Sequence, residues 1–139
     1  MIKKKYENDK IRLINQDVSN LINPILRKIV STKEGTAGFA NVAGFEVGGK
    51  TGTADQPADG EYSKKKINTF ASIFPISSPK YVLIVLLDEP KLSETYIYEY
   101  NDGKKRKIIG TPFNTAGWTS VEVAKNIIEK IGPILAIKY

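Results

Sequence analysis

The chain has no cysteine and no histidine, and a single methionine and a single tryptophan among its 139 residues. Lack of cysteine removes disulfides and thiolate metal sites and leaves the redox compartment open. Lack of histidine removes the commonest general base and metal ligand, so acid–base chemistry must fall to lysine, tyrosine or a carboxylate. No metal and no cofactor is expected. Long apolar runs are missing too. The longest, Tyr81 to Leu87, has seven residues, far short of the roughly 20 needed to cross a bilayer. The first ten residues, Met-Ile-Lys-Lys-Lys-Tyr-Glu-Asn-Asp-Lys, lack the apolar core of a signal peptide. No signal or transmembrane segment is therefore expected within this chain.

What is present fits one soluble globular domain: 41% hydrophobic and 26% charged residues, enough to bury an ordinary core. The formal charge of +6 comes from 21 basic and 15 acidic residues, with clusters at Lys3–Lys5, Lys64–Lys66 and Lys104–Lys107. No aromatic-rich RNA motif or zinc-finger spacing accompanies them, so they read as solvated loops and no nucleic-acid partner is expected. A basic face could still attract an anionic wall polymer or a membrane surface.

In chain order, residues 1–10 read as a flexible basic arm. Arg12-Leu13-Ile14 is a short extended piece, after which Asn15 or Asp17 can cap a helix. The spacing of Val18, Leu21, Ile22, Ile25, Leu26 and Ile29 predicts that helix over 16–31, with its apolar face in the core. Pro24 should bend it or delay its start. Phe45-Glu46-Val47 opens a strand that runs to Ala54, and a loop is expected over 55–66. Residues 67–76 and 80–88 are two strands joined by the turn Ser77-Ser78-Pro79-Lys80. Val82 to Leu87 is apolar throughout, which predicts cover on both faces. The polar excursion 91–116 contains alternating Tyr96, Tyr98 and Tyr100, which predict a small hairpin arm. A final helix should start at the capping box Thr119-x-x-Glu122, and Gly132-Pro133 should kink its end. The fold class is α+β: an antiparallel sheet of at least three strands with packed helices.

One stretch concentrates chemistry: Gly48-Gly49-Lys50-Thr51-Gly52-Thr53-Ala54. A fixed cation beside two hydroxyls, among residues small enough for close approach to the backbone, suits an anion. Residues 44–51 satisfy the phosphate-loop pattern G-x-x-x-x-G-K-[ST]. That motif needs a helix directly after the lysine, and Thr-Gly-Thr-Ala-Asp-Gln-Pro offers none. The competing pattern is K-T-G on a strand beside a cleft.

The residues around K-T-G resemble class B penicillin-binding proteins, the transpeptidases of cell-wall synthesis, and the division-type branch most closely. Gly35-Thr36-Ala37 resembles that family's approach to the strand. Ile67 to Pro75 and Tyr81 to Pro90 resemble its last two strands, and Thr115-Ala116-Gly117-Trp118 the entry to its final helix. The resemblance covers roughly residues 11–137, so residues 11–139 are expected to form the C-terminal portion of a transpeptidase domain. It implies a serine acyltransferase acting on peptidoglycan stem peptides and inhibited by β-lactams, in a parent anchored in the bacterial inner membrane with this domain periplasmic.

By that resemblance Lys50 and Thr53 are the catalytic residues of this stretch. Thr51, Gly52, Thr53 and Ala54 bind substrate, with the Thr53 N–H as half of the oxyanion hole and Gly52 leaving room for the ligand. The family's nucleophile lies in S-x-x-K, well ahead of K-T-G. Here S-x-x-K occurs only after it, as Ser63 to Lys66 in a charged segment and Ser77 to Lys80 in a turn, and S-x-N does not occur. Both copies read as coincidence. The expected role is one wall of an active site completed by the rest of the transpeptidase domain, the chain alone being inactive. A non-catalytic peptide-binding or interaction module of the same fold is the alternative. With the family's first strand missing, residues 82–87 should form an open strand edge, through which a homodimer could form unless the arm or the 91–116 excursion folds over it.

Overall fold

A computed structural model of the chain describes residues 11–58, 61–99 and 107–137. Helix α1 (Gln16–Ser31) starts where the Asn15 side chain accepts the Asp17 N–H, which satisfies one of the first-turn donors. It runs through Pro24 and ends with the Thr32 N–H on the Lys28 carbonyl. Arg27 ties it to the segment leading into the sheet, donating to the Val47 carbonyl at 2.7 Å and to Asn41 Oδ1 at 2.8 Å. The apolar face of α1 is not the core stripe that periodicity predicts. Val30 alone is fully buried, and Val18, Leu21, Ile22 and Ile25 are exposed. The helix meets the sheet through Arg27 and its neighbours, and its apolar row points the other way.

Three antiparallel strands come next: β1 (Gly48–Ala58), β2 (Glu61–Phe74) and β3 (Tyr81–Asp88), in the order β1-β2-β3. Two strand limits differ from the sequence reading. Phe45-Glu46-Val47 lies outside the strand, following a turn closed by the Phe45 N–H on the Val42 carbonyl, with positive φ at Gly44 and Glu46 (84° and 46°). The turn lets the Phe45 ring lie where a side chain on Gly132 would otherwise sit, since a Cβ there would come within 2.5 Å of the ring. The expected loop over 55–66 is instead the far end of a long hairpin. β1 and β2 stay paired past a register shift between Asp55 and Pro57, helped by an ion pair between Lys66 and Asp55. Pro57 sits at this register shift on an edge strand, the setting to which proline in sheets is confined.

The register assigns every side chain to a face. Thr51↔Phe70↔Val85 and Thr53↔Asn68↔Leu87 share one side; Gly48↔Ile73↔Val82 and Lys50↔Ala71↔Ile84 share the other. Helix α2 (Ser120–Ala136) covers the first side, burying Phe70, Phe74, Val85, Val121, Ala124 and Ile128 in one core. Among the described residues the second side carries only α1. Cover on both faces of β3 is therefore not found: Leu83, Val85 and Leu87 pack inward, while Val82, Ile84 and Leu86 are 70%, 63% and 60% exposed.

Helix α2 is entered differently from the expected capping box. The Thr119 hydroxyl donates to the Thr115 carbonyl rather than capping the first turn. Glu122 receives the Tyr96 hydroxyl and the Lys125 ammonium instead. A 3₁₀ turn over Ala116–Trp118 leads directly into the helix, so Thr119 has the wrong backbone geometry for a cap (φ −122°, ψ −84°). The helix continues through Gly132 and Pro133 to Ala136. No helix among the described residues is long and apolar enough to cross a membrane.

The excursion forms the small hairpin its tyrosines predict, β4 (Ile97–Glu99) against β5 (Lys107–Ile109). Tyr100 and the arm at 1–10 lie outside the described residues. Buried Tyr98 anchors the hairpin. Its ring packs on Phe39 and Trp118, and its hydroxyl donates to the Trp118 carbonyl at 2.8 Å. Burial, with the Glu122 carboxylate nearby, raises the Tyr98 phenol above its ordinary 10.0 despite an opposing hydrogen bond from Thr111. The neutral phenol is thus favoured in the folded state, so its contribution is complete below about pH 10 and lost as pH rises through the higher folded value. Urea unfolding monitored from about pH 8 to about pH 11 should show stability falling at the alkaline end. Tyr98→Phe should fall less steeply, and equal slopes would count against this assignment.

Candidate functional site

The chemistry-bearing residues stand on β1, whose outer edge has no strand partner among the described residues. Gly49 lets this strand lie close over the core. A Cβ at that position would come within 2.6 Å of the Ala71 carbonyl oxygen and 2.7 Å of the Phe70 ring, so only glycine fits without displacing backbone. Strand alternation then separates the next residues. Lys50 points to the side of Ala71 and Ile84, while Thr51 and Thr53 point to the side of Phe70 and Asn68.

Each hydroxyl is held by a different loop. Thr51 Oγ1 lies 2.9 Å from Thr36 Oγ1. Thr53 Oγ1 accepts the Ala116 N–H at 2.9 Å. With that lone pair occupied by an N–H, the Thr53 proton is left to donate outward, as an anion requires. The Lys50 ammonium is exposed and donates to the Thr51 carbonyl at 2.7 Å. Beside Gly52 the surface is open, the nearest atom to a built Cβ being Thr69 Cβ at 3.9 Å. Ala54 is exposed, two residues beyond on the face of Lys50. The arrangement offers a cation and two positioned hydroxyls along one strand edge, with free approach for an extended ligand.

A strand, not a helix, comes after Lys50, so the phosphate-loop pattern has none of the helix-terminus geometry that would bind phosphate. The serines of the two S-x-x-K copies lie elsewhere. Ser63 is on β2 beyond the Lys66–Asp55 pair, and its Oγ accepts the Lys65 N–H. Ser77 is in the β2–β3 turn, at the other end of the sheet, and donates to Glu46. Neither approaches the middle of β1. Of the basic clusters, Lys65, Lys66 and Lys107 each pair with a carboxylate, Glu89, Asp55 and Glu99. Glu89 raises the Lys65 pKa through their hydrogen bond and charge. No group of three or more metal-ligating side chains occurs among the described residues.

Three contributors go beyond the residues singled out from sequence: Thr36, the Ala116 N–H, and buried Asn68. The Asn68 amide donates to Asn114 Oδ1 at 2.8 Å and Thr119 Oγ1 at 2.9 Å, tying the loop that carries Ala116 to the strand behind Thr53. The stretches around Thr36 and Ala116 resemble the family's flanking segments, but no local pattern says that they close on the two threonines.

A family model for the penicillin binding protein transpeptidase domain matches residues 2–114. The probable peptidoglycan D,D-transpeptidase FtsI of Caulobacter vibrioides is 33% identical over 135 residues, covering 91% of this chain and 20% of the relative. Stage V sporulation protein D of Bacillus subtilis is 37% identical over 91 residues, covering 65% of this chain and 14% of the relative. The chain thus spans a fifth or less of these relatives' length. Among solved structures, apo penicillin-binding protein 3 of Mycobacterium tuberculosis superposes with a TM-score of 0.63 at 26% identity, over 94% of this chain and 28% of that one. The transpeptidase domain of Burkholderia pseudomallei penicillin-binding protein 3 gives 0.58 at 26% identity, over 81% of this chain and 29% of that one.

Proposed function

Because the chain belongs to the penicillin binding protein transpeptidase domain family, we propose that it supplies the K-T-G wall of a peptidoglycan D,D-transpeptidase active site of the division type. The observation that carries this reading is the edge of β1. Lys50, Thr51 and Thr53 line it, and the Ala116 N–H leaves the Thr53 hydroxyl free to donate.

Transpeptidation needs a peptide carboxylate held while a serine attacks the neighbouring carbonyl. The carboxylate is met by the Thr51 and Thr53 hydroxyls and the field of Lys50. The peptide runs along the open edge past Gly52 and Ala54, and the Thr53 N–H stabilises the tetrahedral oxyanion, where fixed donors have their largest effect. β-Lactams carry an equivalent carboxylate and occupy the same edge. The nucleophilic serine stands outside residues 11–137, in the part of the transpeptidase domain that precedes them. Because the substrate is wall polymer, the assembled domain works on the periplasmic side of the inner membrane.

The direct test is incubation of the chain alone with a fluorescent penicillin, then denaturing electrophoresis and intact-mass analysis. The expected result is no covalent adduct. An adduct on Ser63 or Ser77 would overturn the assignment.

A further inference from the structure

Asn68 is wholly buried on the central strand β2, as the register partner of Thr53, and shares its face with Phe70 and Leu87. Its Oδ1 has no hydrogen-bond partner among the described residues. An acceptor buried without a donor destabilises a fold, so packing alone would favour an apolar residue of similar size here. What the asparagine supplies is two donors from one amide, to Asn114 Oδ1 at 2.8 Å and Thr119 Oγ1 at 2.9 Å. These acceptors stand at the two ends of the turn that carries Ala116. Both are themselves anchored. The Asn114 amide donates to the Pro90 carbonyl at 3.4 Å, and the Thr119 hydroxyl to the Thr115 carbonyl at 3.0 Å.

Both hydroxyls of the K-T-G edge depend on this turn. The Ala116 N–H holds Thr53 Oγ1 directly. Gly117 lies against Thr36, whose hydroxyl meets that of Thr51: a Cβ on Gly117 would come within 2.6 Å of the Thr36 carbonyl oxygen. If the turn moved, Thr53 Oγ1 would lose the N–H that occupies one of its lone pairs, and its proton would no longer be aimed outward.

We propose that Asn68 is a positioning residue for acylation. Buried behind Thr53, it touches no ligand; it fixes the 114–119 turn so that the Ala116 N–H directs the Thr53 hydroxyl proton toward the ligand's carboxylate. Tyr98 holds the same turn from the hairpin side, at the Trp118 carbonyl. Asn68 ties it to the strand paired with β1, so the spacing between the Ala116 N–H and Thr53 is set within the sheet itself. The inference rests on the proposed function in taking Thr53 to meet that carboxylate.

Two substitutions break the tie from opposite sides. Asn68→Leu keeps the volume and removes both donors; Thr119→Val keeps the branched shape and removes the accepting hydroxyl. In the NMR spectrum of the chain, each should move the Ala116 amide proton upfield, as a weakened hydrogen bond does. Each should also speed exchange of that amide with solvent while Val85 exchanges as before, the mark of a local opening. In the complete transpeptidase domain, each should slow acylation by a penicillin about 10–100-fold, the scale of loss from a displacement of about 1 Å. Added to Thr53→Val, neither should slow it further, because the group through which they act is already gone. An unmoved Ala116 signal in both variants overturns the proposal. So does equal acceleration of exchange at Ala116 and Val85, which a merely structural asparagine would give. Normal acylation by Asn68→Leu and Thr119→Val while Thr53→Val is slow, or losses that add in the double variants, overturns it too. Normal acylation by Thr53→Val would instead remove the active-site reading, and the part of Asn68 in acylation with it, whatever the Ala116 signal does.

Discussion

Lys50→Ala or Thr53→Val, introduced into the complete transpeptidase domain, is expected to slow acylation by a penicillin by about 10²–10³-fold, the usual loss when a fixed charge or donor is removed from an oxyanion-type site. The fold should be unaffected. The Lys50 side chain is exposed with its ammonium on the Thr51 carbonyl. Valine keeps the β-branched shape of Thr53 and loses only the oxygen that accepts the Ala116 N–H. Thr53→Ser, which retains that oxygen, should recover most of the rate. Acylation within a few-fold of normal for both Lys50→Ala and Thr53→Val would remove this edge from the mechanism.

Phe70→Ala should cost about 3–5 kcal/mol of unfolding free energy, because a fully buried ring is lost and its site cannot fully collapse. Phe70 is completely buried, and its ring lies against the backbone of Gly49, directly under the lysine-bearing strand. A loss of that size is a large share of the roughly 5–15 kcal/mol that holds a domain together. Leu86→Ala supplies the contrast: one strand over and 60% exposed, it should change stability by no more than about 0.5 kcal/mol in the chain alone. Urea unfolding monitored by circular dichroism measures both. Similar losses for the two would mean that the sheet face carrying Leu86 is covered in solution.

The sequence reveals most where one residue's chemistry dominates its surroundings. Asn15 can cap, and the structure has it capping Asp17. The run Tyr81 to Asp88 is a strand, paired antiparallel to β2. Lys50, Thr51 and Thr53 do share one edge strand. Local reading fails where distant contacts decide. Periodicity finds that α1 has an apolar face but not whether anything lies against it, so Leu21 and Ile25 look like core and are exposed. Uninterrupted apolarity in 82–87 reports a strand made for cover on both sides, and among the described residues only one side is covered. Thr119-x-x-Glu122 has the letters of a capping box, yet Tyr96 and Lys125 claim the glutamate from elsewhere. Thr36 and Ala116 are 15 and 63 residues from the threonines they hold, a separation no local pattern can bridge.

The central claim, that the edge of β1 holds the ligand's carboxylate, is tested most directly by a crystal structure of the complete domain acylated with a penicillin. The carboxylate should lie within hydrogen-bonding distance of Thr51 Oγ1 and Thr53 Oγ1, with the acyl oxygen on the Thr53 N–H and the serine ester outside residues 11–137. A carboxylate bound elsewhere, with the Thr51 and Thr53 hydroxyls still engaged only by Thr36 and the Ala116 N–H, would contradict it.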